Sequence, residues 1–396
     1  MQARSSQLGR IHMTYKVPMN VSLHRFSTKP GIPRNITRSR LLVMEELLKK
    51  VLERNEATKK PLSAVPWKPD QPHAQPLFTY DRSAQAWTPA PPADPTPRSL
   101  HQRDDAGNGI TRLRVYSWNI DFMLPLAKAR MDAALEHLRS LTSSLPPSIA
   151  AVVFLQECVE EDLATIGAAD WVRSGFVRTD VDGSNWQACY GTTTLVDRRL
   201  GVAACFRVHY AQTRMERDAL FVDVVLNSTS SSASGGSGAP KTIRLCNSHL
   251  ESLALSPPLR PAQVQVMATH MRAAGVHAGI AAGDFNAIEA VDRTLHATHG
   301  LRDAYLEVSG GREDSEEGYT WGQQAATSLR ERFGCSRMDK VYFTSGGGLR
   351  LHGFERFGRD VLVRGEEEGE RIRALGFEKP WITDHLGVTA EFEVVD

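Results

Sequence analysis

Several features that would assign a chain of 396 residues to a familiar class are missing from this sequence. No apolar run reaches the roughly 18 residues of a membrane-spanning helix, and the N-terminus has no apolar stretch typical of a secretory signal. The five cysteines are widely scattered, without a C-x-x-C pair or the spacing of a zinc site. We therefore expect a soluble globular protein of a reducing compartment, with no membrane association.

Aspartate and glutamate are also missing from residues 1–44, which hold eight Lys/Arg among serines and threonines. This composition is typical of a mitochondrial transit peptide, but prolines interrupt any long amphipathic helix, and we favour a disordered basic arm. Apolar residues at helical spacing predict one amphipathic helix over about residues 38–54. The Pro- and Ala-rich residues 61–97 read as an extended linker whose isolated aromatics can pack on a neighbouring domain.

These features predict a basic, Pro-rich extension over residues 1–108 and a catalytic domain over residues 109–396. The extension carries 17 Lys/Arg against 9 Asp/Glu, a net charge of +8, which leaves 30 against 37, or −7, for the domain. Proteins that grip long duplexes use a broad basic face. An acidic domain therefore favours local binding of a phosphate, for instance at a nucleic-acid end, or carboxylates that hold a metal.

Beyond residue 109, short β-branched or apolar runs alternate with helical patterns, which indicates a mixed α/β fold. Two stretches predict helices, over Leu126–Leu141 and from Pro261 to Met271. The predicted strands are Leu113–Ile120, Ile149–Gln156, Thr192–Val196, Val202–Phe206, Leu220–Leu226, Ile243–Ser248, Ala278–Ala282, Lys340–Thr344 and Val388–Val394.

Polar side chains with catalytic potential follow or precede six of these strands, where an α/β scaffold usually holds its site. Any one of them alone is more often a turn former or a solvated group. Their combination after successive apolar strands is hard to explain by scaffold needs. They are Asn119, Asp121, Glu157, His249, Asp284, Asn286, Asp339, Asp384 and His385.

The set has the chemistry that phosphodiester hydrolysis requires. Glu157 and Asp121 are our candidate ligands of Mg²⁺ or Mn²⁺, with Asp384 supporting the water shell of the metal. Asp284, with Asn286, can orient and deprotonate the attacking water. His385 and Asn119 would surround the phosphate where negative charge grows, and Asp339 would keep the imidazole of His385 oriented and protonated.

Together these motifs resemble the endonuclease/exonuclease/phosphatase superfamily over residues 113–396. The resemblance rests on Asn119 after the first strand, Gln-Glu157, Gly-Asp284-x-Asn286 and Thr-Asp384-His385, with Thr383 in place of the usual serine. It implies a four-layer αββα sandwich, in which two mixed β-sheets are flanked by helices.

Further stretches are similar to tyrosyl-DNA phosphodiesterases of the second type, among them Met-Glu-Arg217, Ser-His249-Leu-Glu251-Ser252, Tyr319-Thr320-Trp321 and Arg337-Met338-Asp339. That family removes, with Mg²⁺, the tyrosine that a trapped type II topoisomerase leaves on a DNA 5′ phosphate. The resemblance implies a monomer whose partner is an adduct-carrying DNA end. It also implies phosphate contacts by Arg217 and His249 and a single-strand groove lined by Tyr190 and Trp321, with Glu251 and Ser252 at its side. Core packing explains Trp321 equally well.

Two departures concern the substrate. The family has a basic residue where this chain has Ile288, and an aromatic residue where it has Met338, so substrate affinity is expected to differ. A hydrolase of another branch is the first alternative: an abasic-site endonuclease, an RNA deadenylase or a phosphoinositide phosphatase. The second is an inactive scaffold that binds nucleic acid. An enzyme for DNA adducts is expected in the nucleus, with the mitochondrion as the alternative because of the basic N-terminus.

Overall fold

The computed structural model describes residues 49–50, 53–90, 109–227 and 240–396. Two β-sheets face each other in it, one of seven strands and one of eight, and helices cover their outer faces. Both sheets are mixed, because Arg112–Asn119 pairs with Ile149–Cys158 and Pro240–Ser248 with Ala278–Asp284 in parallel while the other pairings are antiparallel. The predicted αββα sandwich is confirmed. The strands are β1 (His73–Ala74), β2 (Phe78–Asp81), β3 (Ala86–Pro89), β4 (Arg112–Asn119), β5 (Ile149–Cys158), β6 (Phe176–Arg178), β7 (Gly191–Asp197), β8 (Gly201–His209), β9 (Asp218–Asn227), β10 (Pro240–Ser248), β11 (Ala278–Asp284), β12 (Leu301–Asp303), β13 (Asp339–Thr344), β14 (Leu349–Phe357) and β15 (Gly387–Val394).

The first sheet has the strand order β1-β8-β9-β10-β11-β13-β12, and the second has the order β14-β15-β4-β5-β7-β6-β2-β3. The α-helices are α1 (Ala127–Ser143), α2 (Glu160–Ala168), α3 (Asp170–Gly175), α4 (Arg260–Met271), α5 (Leu295–Thr298), α6 (Ala304–Ser309), α7 (Thr327–Phe333) and α8 (Glu366–Arg373). Short 3₁₀ turns lie at Leu62–Ala64, Gly183–Asn185 and Ala290–Thr294. Over the described ranges, no helix combines the length and the apolar character that a membrane crossing demands.

Alternation along the strands divides the core into three layers. On β4, Val115 faces the cluster between the two sheets, whereas Tyr116 faces the cluster beneath α1. Val152 and Val153 of β5 divide in the same way. The third cluster joins the first sheet to α4 through Met267. Central strands are thus apolar on both faces, which is why they read as continuous apolar runs in the sequence.

All nine predicted strands and both predicted helices are confirmed, with small shifts at their ends. β14 was missed because it lies at the edge of its sheet and carries charged residues such as Arg350 and Glu355 among its apolar ones. The short strands β6 and β12 have three residues each, too few for a periodic pattern.

Residues 73–89 differ from the predicted linker. β1 pairs with β8 and β2 with β6, so this stretch extends both sheets. Trp67 is buried, as the packing of isolated aromatics suggested, and its indole stacks on His209 at 4.2 Å. This pairing could not be predicted from the sequence, because strands of two and four residues between prolines are too short to show an alternation of apolar and polar residues.

Of the predicted helix over residues 38–54, the described part is helical at 49–50 and 53–54 and continues to residue 58. The remainder of that prediction and the predicted disordered arm lie outside the described residues. The domain boundary between residues 108 and 109 stays a prediction.

Candidate active site

The predicted site residues gather where strands from both sheets end. β4 ends at Asn119 and β5 just beyond Glu157, while β11 ends at Asp284. β13 begins at Asp339, the direct register partner of Asp284. Residues that are far apart in sequence thus meet at one edge of the sandwich.

Asp284 lies at the centre of this group. Its Oδ2 accepts a hydrogen bond from Asn119 Nδ2 at 3.0 Å and lies 3.3 Å from His249 Nε2 and 3.7 Å from His385 Nε2. Its Oδ1 accepts the backbone N–H of Asn286 at 2.9 Å. Burial acts to raise the pKa of Asp284, but the two imidazoles hold that pKa well below its usual range. Asp284 is therefore an ionised carboxylate.

His385 is held as a cation. Its Nδ1 lies 2.8 Å from Asp339 Oδ2, and its Nε2 lies 3.8 Å from Asp384 Oδ1. Burial acts to lower the pKa of His385, but the facing carboxylates of Asp339, Asp284 and Asp384 raise it well above its usual value. The backbone of His385 is fixed as well, because the buried Trp118 indole donates a hydrogen bond to its carbonyl at 3.1 Å. An oriented imidazolium is the group that best stabilises charge on a phosphate.

Three further carboxylates, Asp121, Glu157 and Asp384, form the acidic side of the site. Burial raises the pKa of Asp121 well above its usual value, and the negative charges of Asp384 and Glu157 raise it further. Glu157 Oε2 accepts the Phe122 N–H at 3.0 Å, and its Oε1 lies 3.6 Å from His249 Nε2. A hard divalent cation relieves the repulsion between half-buried carboxylates, so this oxygen-only set fits Mg²⁺ or Mn²⁺.

Asp284, Asp339 and His385 also bring possible ligand atoms within 4.8 Å of one another. The imidazole of this second group is already paired with Asp339, which leaves its facing nitrogen directed at Asp284. Asp121, Glu157 and Asp384 therefore stay our predicted ligands of a hard cation.

Three site residues have left-handed backbone conformations: Asp121 with φ 60°, Glu157 with φ 57° and Asn286 with φ 47°. Asparagine tolerates this region, whereas glutamate rarely adopts it. Glu157 lies in an irregularity of the pairing between β5 and β7, which turns its side chain away from the alternation of the strand. Strained backbone of this kind is concentrated at functional sites in proteins.

The predicted phosphate contacts form a second group beside the carboxylates. Arg217 Nη1 lies 2.5 Å from His249 Nδ1, and its Nη2 donates to Ser252 Oγ at 3.0 Å. The same guanidinium lies 5.4 Å from the centre of the Tyr190 ring. A cation is thus positioned directly behind an imidazole that contacts Asp284.

The other predicted substrate residues have different surroundings. Glu251 is buried and accepts hydrogen bonds from Thr213 Oγ1 at 2.8 Å and the Arg214 N–H at 3.1 Å, so it orders the loop that carries Arg217. The half-buried Trp321 donates from Nε1 to Asp384 Oδ2 at 2.7 Å, and core packing therefore does not account for its position. Ile288 and Met338 are both half-buried.

One residue of the site, Phe122, was not singled out from the sequence. The Phe122 ring stacks on Tyr190 at 3.8 Å, and its place directly after Asp121 was the available signal. The Thr383 hydroxyl donates to the Asn119 carbonyl at 2.8 Å and accepts the His385 N–H at 3.2 Å. Threonine thus supplies the hydroxyl expected of the usual serine.

Residues 116–385 match the family model described as "Endonuclease/Exonuclease/phosphatase family". The chain belongs to this family. Membership places it among hydrolases that act on phosphodiester bonds, enzymes that typically depend on a divalent metal. The match spans the site residues from Asn119 to His385, although their individual roles stay predictions.

Solved structures of TDP2 proteins share the fold. A humanized D. rerio TDP2 is 19% identical with a TM-score of 0.51, and the alignment covers 72% of this chain and 99% of that one. A truncated Caenorhabditis elegans TDP2 is 23% identical with a TM-score of 0.50, covering 72% and 98%. D. rerio TDP2 complexed with single strand DNA product is 19% identical with a TM-score of 0.50, covering 72% and 99%. No curated protein matches the chain.

Proposed function

We propose that this protein is a Mg²⁺-dependent phosphodiesterase that hydrolyses the 5′-phosphotyrosyl bond between DNA and the tyrosine of a trapped type II topoisomerase. The observation that carries the proposal is the position of Asp284, a buried carboxylate held between two imidazoles beside a second group of carboxylates. The fold that this chain shares with TDP2, one example of which was solved with a single-stranded DNA product, supports the choice of substrate.

Asp284 orients the attacking water. Its carboxylate is ionised, and Asn119 and the Asn286 N–H fix both of its oxygens. Because its pKa is held low, Asp284 is a weak base, and its main contribution is to aim a water oxygen at the phosphorus while accepting the proton of that water. The bond that forms joins the water oxygen to phosphorus, and the bond that breaks joins phosphorus to the tyrosine oxygen.

His385 and Asn119 stabilise the phosphate as its charge grows. The imidazolium of His385 stays protonated because Asp339 faces its other nitrogen, so it donates a charge-assisted hydrogen bond to a phosphate oxygen. His249, backed by the Arg217 guanidinium, supplies a second donor beside Asp284. These groups are in position before the substrate binds, which is the condition for efficient electrostatic stabilisation.

The metal would be held by Asp121 and Glu157, with Asp384 close by. When bound, a divalent cation supplies Lewis-acid neutralisation of charge on the phosphate oxygens. The indole of Trp321 keeps Asp384 oriented towards the site. A tyrosine phenol, with a pKa near 10, is a far better leaving group than a sugar alkoxide, so no dedicated general acid is required.

Three substrates distinguish this activity from other branches of the family: a 5′-tyrosyl oligonucleotide, an abasic duplex and a poly(A) RNA, each incubated with protein and Mg²⁺. We expect release of tyrosine from the first substrate. Asp284→Asn should lower that rate by about 10²-fold or more, since the carboxylate that orients the attacking water and accepts its proton is lost. Asp132→Asn, the same change on the exposed face of α1, is the matched control and should leave the rate unchanged. Cleavage of another substrate without tyrosine release would overturn the proposal.

A further inference from the structure

Residues 53–60, here called the entrance segment, lie beside the active site although they are far outside the predicted catalytic domain. Residues 53–58 are helical, and Lys60 anchors their C-terminal end. Its ammonium group donates to the carbonyls of Gly183, Ser184 and Trp186 at 2.7, 2.9 and 2.8 Å. Its backbone N–H donates to the Gln187 carbonyl at 2.9 Å. Three donors matched to three carbonyls fix the segment firmly on the domain.

The entrance segment is docked over the aromatic pair of Phe122 and Tyr190. Asn55 is 2% exposed, and its Nδ2 lies 3.5 Å from the Tyr190 hydroxyl. The Arg54 guanidinium lies 5.3 Å from the centre of the Phe122 ring. Since Arg217 lies 5.4 Å from the Tyr190 ring on the inner side, two guanidinium groups flank one stacked aromatic pair.

Arg54, Phe122, Tyr190 and Arg217 contact one another in this order and form a column of side chains that leads into the site. At its inner end, Arg217 contacts His249, which lies 3.3 Å from Asp284. In its middle, the Phe122 N–H donates to Glu157. Arg54 therefore forms the outer end of a continuous set of contacts that starts at the reacting centre.

Arg54 is the cation of this segment that is left for a ligand. Lys59 is paired with Glu216 at 2.7 Å and Lys60 is committed to its carbonyls, whereas Arg54 is exposed and has no ion pair among the residues that the structure describes. The cation–π contact with Phe122 holds the guanidinium beside the ring. A guanidinium placed in this way suits a phosphate.

Asn55 provides a second observation at the same place. Its Oδ1 is buried without a hydrogen-bond partner, so this side chain carries an unmatched acceptor beside Tyr190. Buried polar groups without partners are rare in proteins, and each calls for a specific explanation. The segment thus places a free cation at the mouth of an acidic site, next to a buried side chain that seats it on Tyr190.

We propose that Arg54 binds a backbone phosphate of a single-stranded DNA end, on the DNA side of the bond that is cleaved, with Asn55 as a positioning residue that seats the segment on Tyr190. This inference rests on the proposed function, because it assigns the nucleic-acid part of the same substrate. Around the carboxylates of the site, an approaching polyanion needs a cation at the outer edge, and Arg54 supplies it.

The test uses the full chain and a short, 5′-phosphorylated single-stranded DNA labelled at its 3′ end, with binding followed by fluorescence anisotropy at several salt concentrations. Arg54→Ala should raise Kd by about 5- to 10-fold and reduce the slope of log K against log salt by about 0.7, the value for one phosphate contact on a single strand. With the 5′-tyrosyl oligonucleotide, the same variant should raise KM while kcat stays within about twofold. Arg54→Lys should recover part of the affinity.

Lys49→Ala is the matched control, because it removes one positive charge from the same helical region at a residue paired with Glu53. Equal Kd and salt slope for Arg54→Ala and Lys49→Ala would overturn the assignment of Arg54, whatever the turnover. A loss in kcat at constant KM would overturn it too. If the wild-type protein releases no tyrosine but Arg54→Ala still weakens DNA binding, the proposed function fails and the Arg54 contact stands. If the wild type also binds no DNA, both are wrong.

Discussion

Individual carboxylates decide the chemistry of this molecule, and Asp121 is the most informative of them. Burial together with the charges of Asp384 and Glu157 raises its pKa well above the usual value. A carboxyl group whose pKa is raised on folding binds a proton more tightly in the folded state, so its ionisation at neutral pH opposes folding. The site therefore stores repulsion that either a proton or a cation relieves.

This repulsion leads to a prediction for Asp121→Asn, a change that keeps the shape and suits the left-handed backbone at φ 60°. Without added metal, the variant should melt several degrees above the wild-type protein at pH 7, because one of the repelling charges is gone. Added Mg²⁺ should raise the melting temperature of the wild type more than that of the variant. Differential scanning calorimetry with and without Mg²⁺ measures both effects. Equal Mg²⁺ shifts in the two proteins would show that Asp121 is not a ligand.

The gathering of the candidate residues at one edge of the sandwich could be predicted from the sequence, because each is a chemically distinctive side chain next to an apolar strand. The contacts that these side chains make could not be predicted from the sequence. Glu251, for example, accepts a hydrogen bond from Thr213, and this contact depends on the position of a loop that is distant in sequence. Phe122 and Arg54 were not predicted as site residues, because a phenylalanine and an exposed arginine form no distinctive sequence pattern. Only the fold brings them together.

At the scale of elements, the nine predicted strands were recognisable from short apolar runs, which in most of these strands are buried on both faces. The short strands at the sheet edges, such as β1 and β2, could not be predicted in this way. β1 and β2 hold their places mainly through side chains outside the strands, such as Gln75, which donates to the Thr179 carbonyl at 2.9 Å. Trp67 contributes likewise, donating to Gln187 Oε1 at 2.9 Å while it stacks on His209.

The stack of Trp67 on His209 makes the docking of this stretch dependent on pH. Burial, with a further contribution from Arg207, lowers the pKa of His209 to about 2, and both ring nitrogens lack a hydrogen-bond partner. A histidine whose pKa is depressed on folding binds protons in the unfolded state first. Its contribution to stability is therefore complete above pH 6.5 and declines as the pH falls below that value, by up to about 1.4 kcal/mol per pH unit.

His209→Phe should remove this dependence while it keeps a ring on Trp67. The free energy of unfolding of the wild type should fall more steeply between pH 6.5 and pH 5 than that of the variant, as measured by urea denaturation at a series of pH values. Other histidines titrate in both proteins, so the difference between the two curves is the quantity to compare. Parallel curves would mean that His209 is not buried as a neutral ring.

For the whole molecule, the distribution of charge agrees with a site that binds an end rather than a long duplex. Residues 109–396 carry a net charge of −7, and the cations at the active site are few and specific: the imidazolium of His385, Arg217 inside the column and Arg54 at its outer end. The sequence predicted this balance from composition alone. It could not predict that part of the basic N-terminal region would border the site, because the contact joins residues 54 and 122 across intervening strands.

The central claim is that water attacks the phosphorus of a 5′-tyrosyl phosphodiester and releases tyrosine. The most direct measurement is mass spectrometry of the products formed from a 5′-tyrosyl oligonucleotide with Mg²⁺ in ¹⁸O-labelled water. The account predicts unlabelled free tyrosine and an oligonucleotide whose new 5′ phosphate carries one ¹⁸O atom. Label in the tyrosine, cleavage within the oligonucleotide alone, or no release of tyrosine would contradict it.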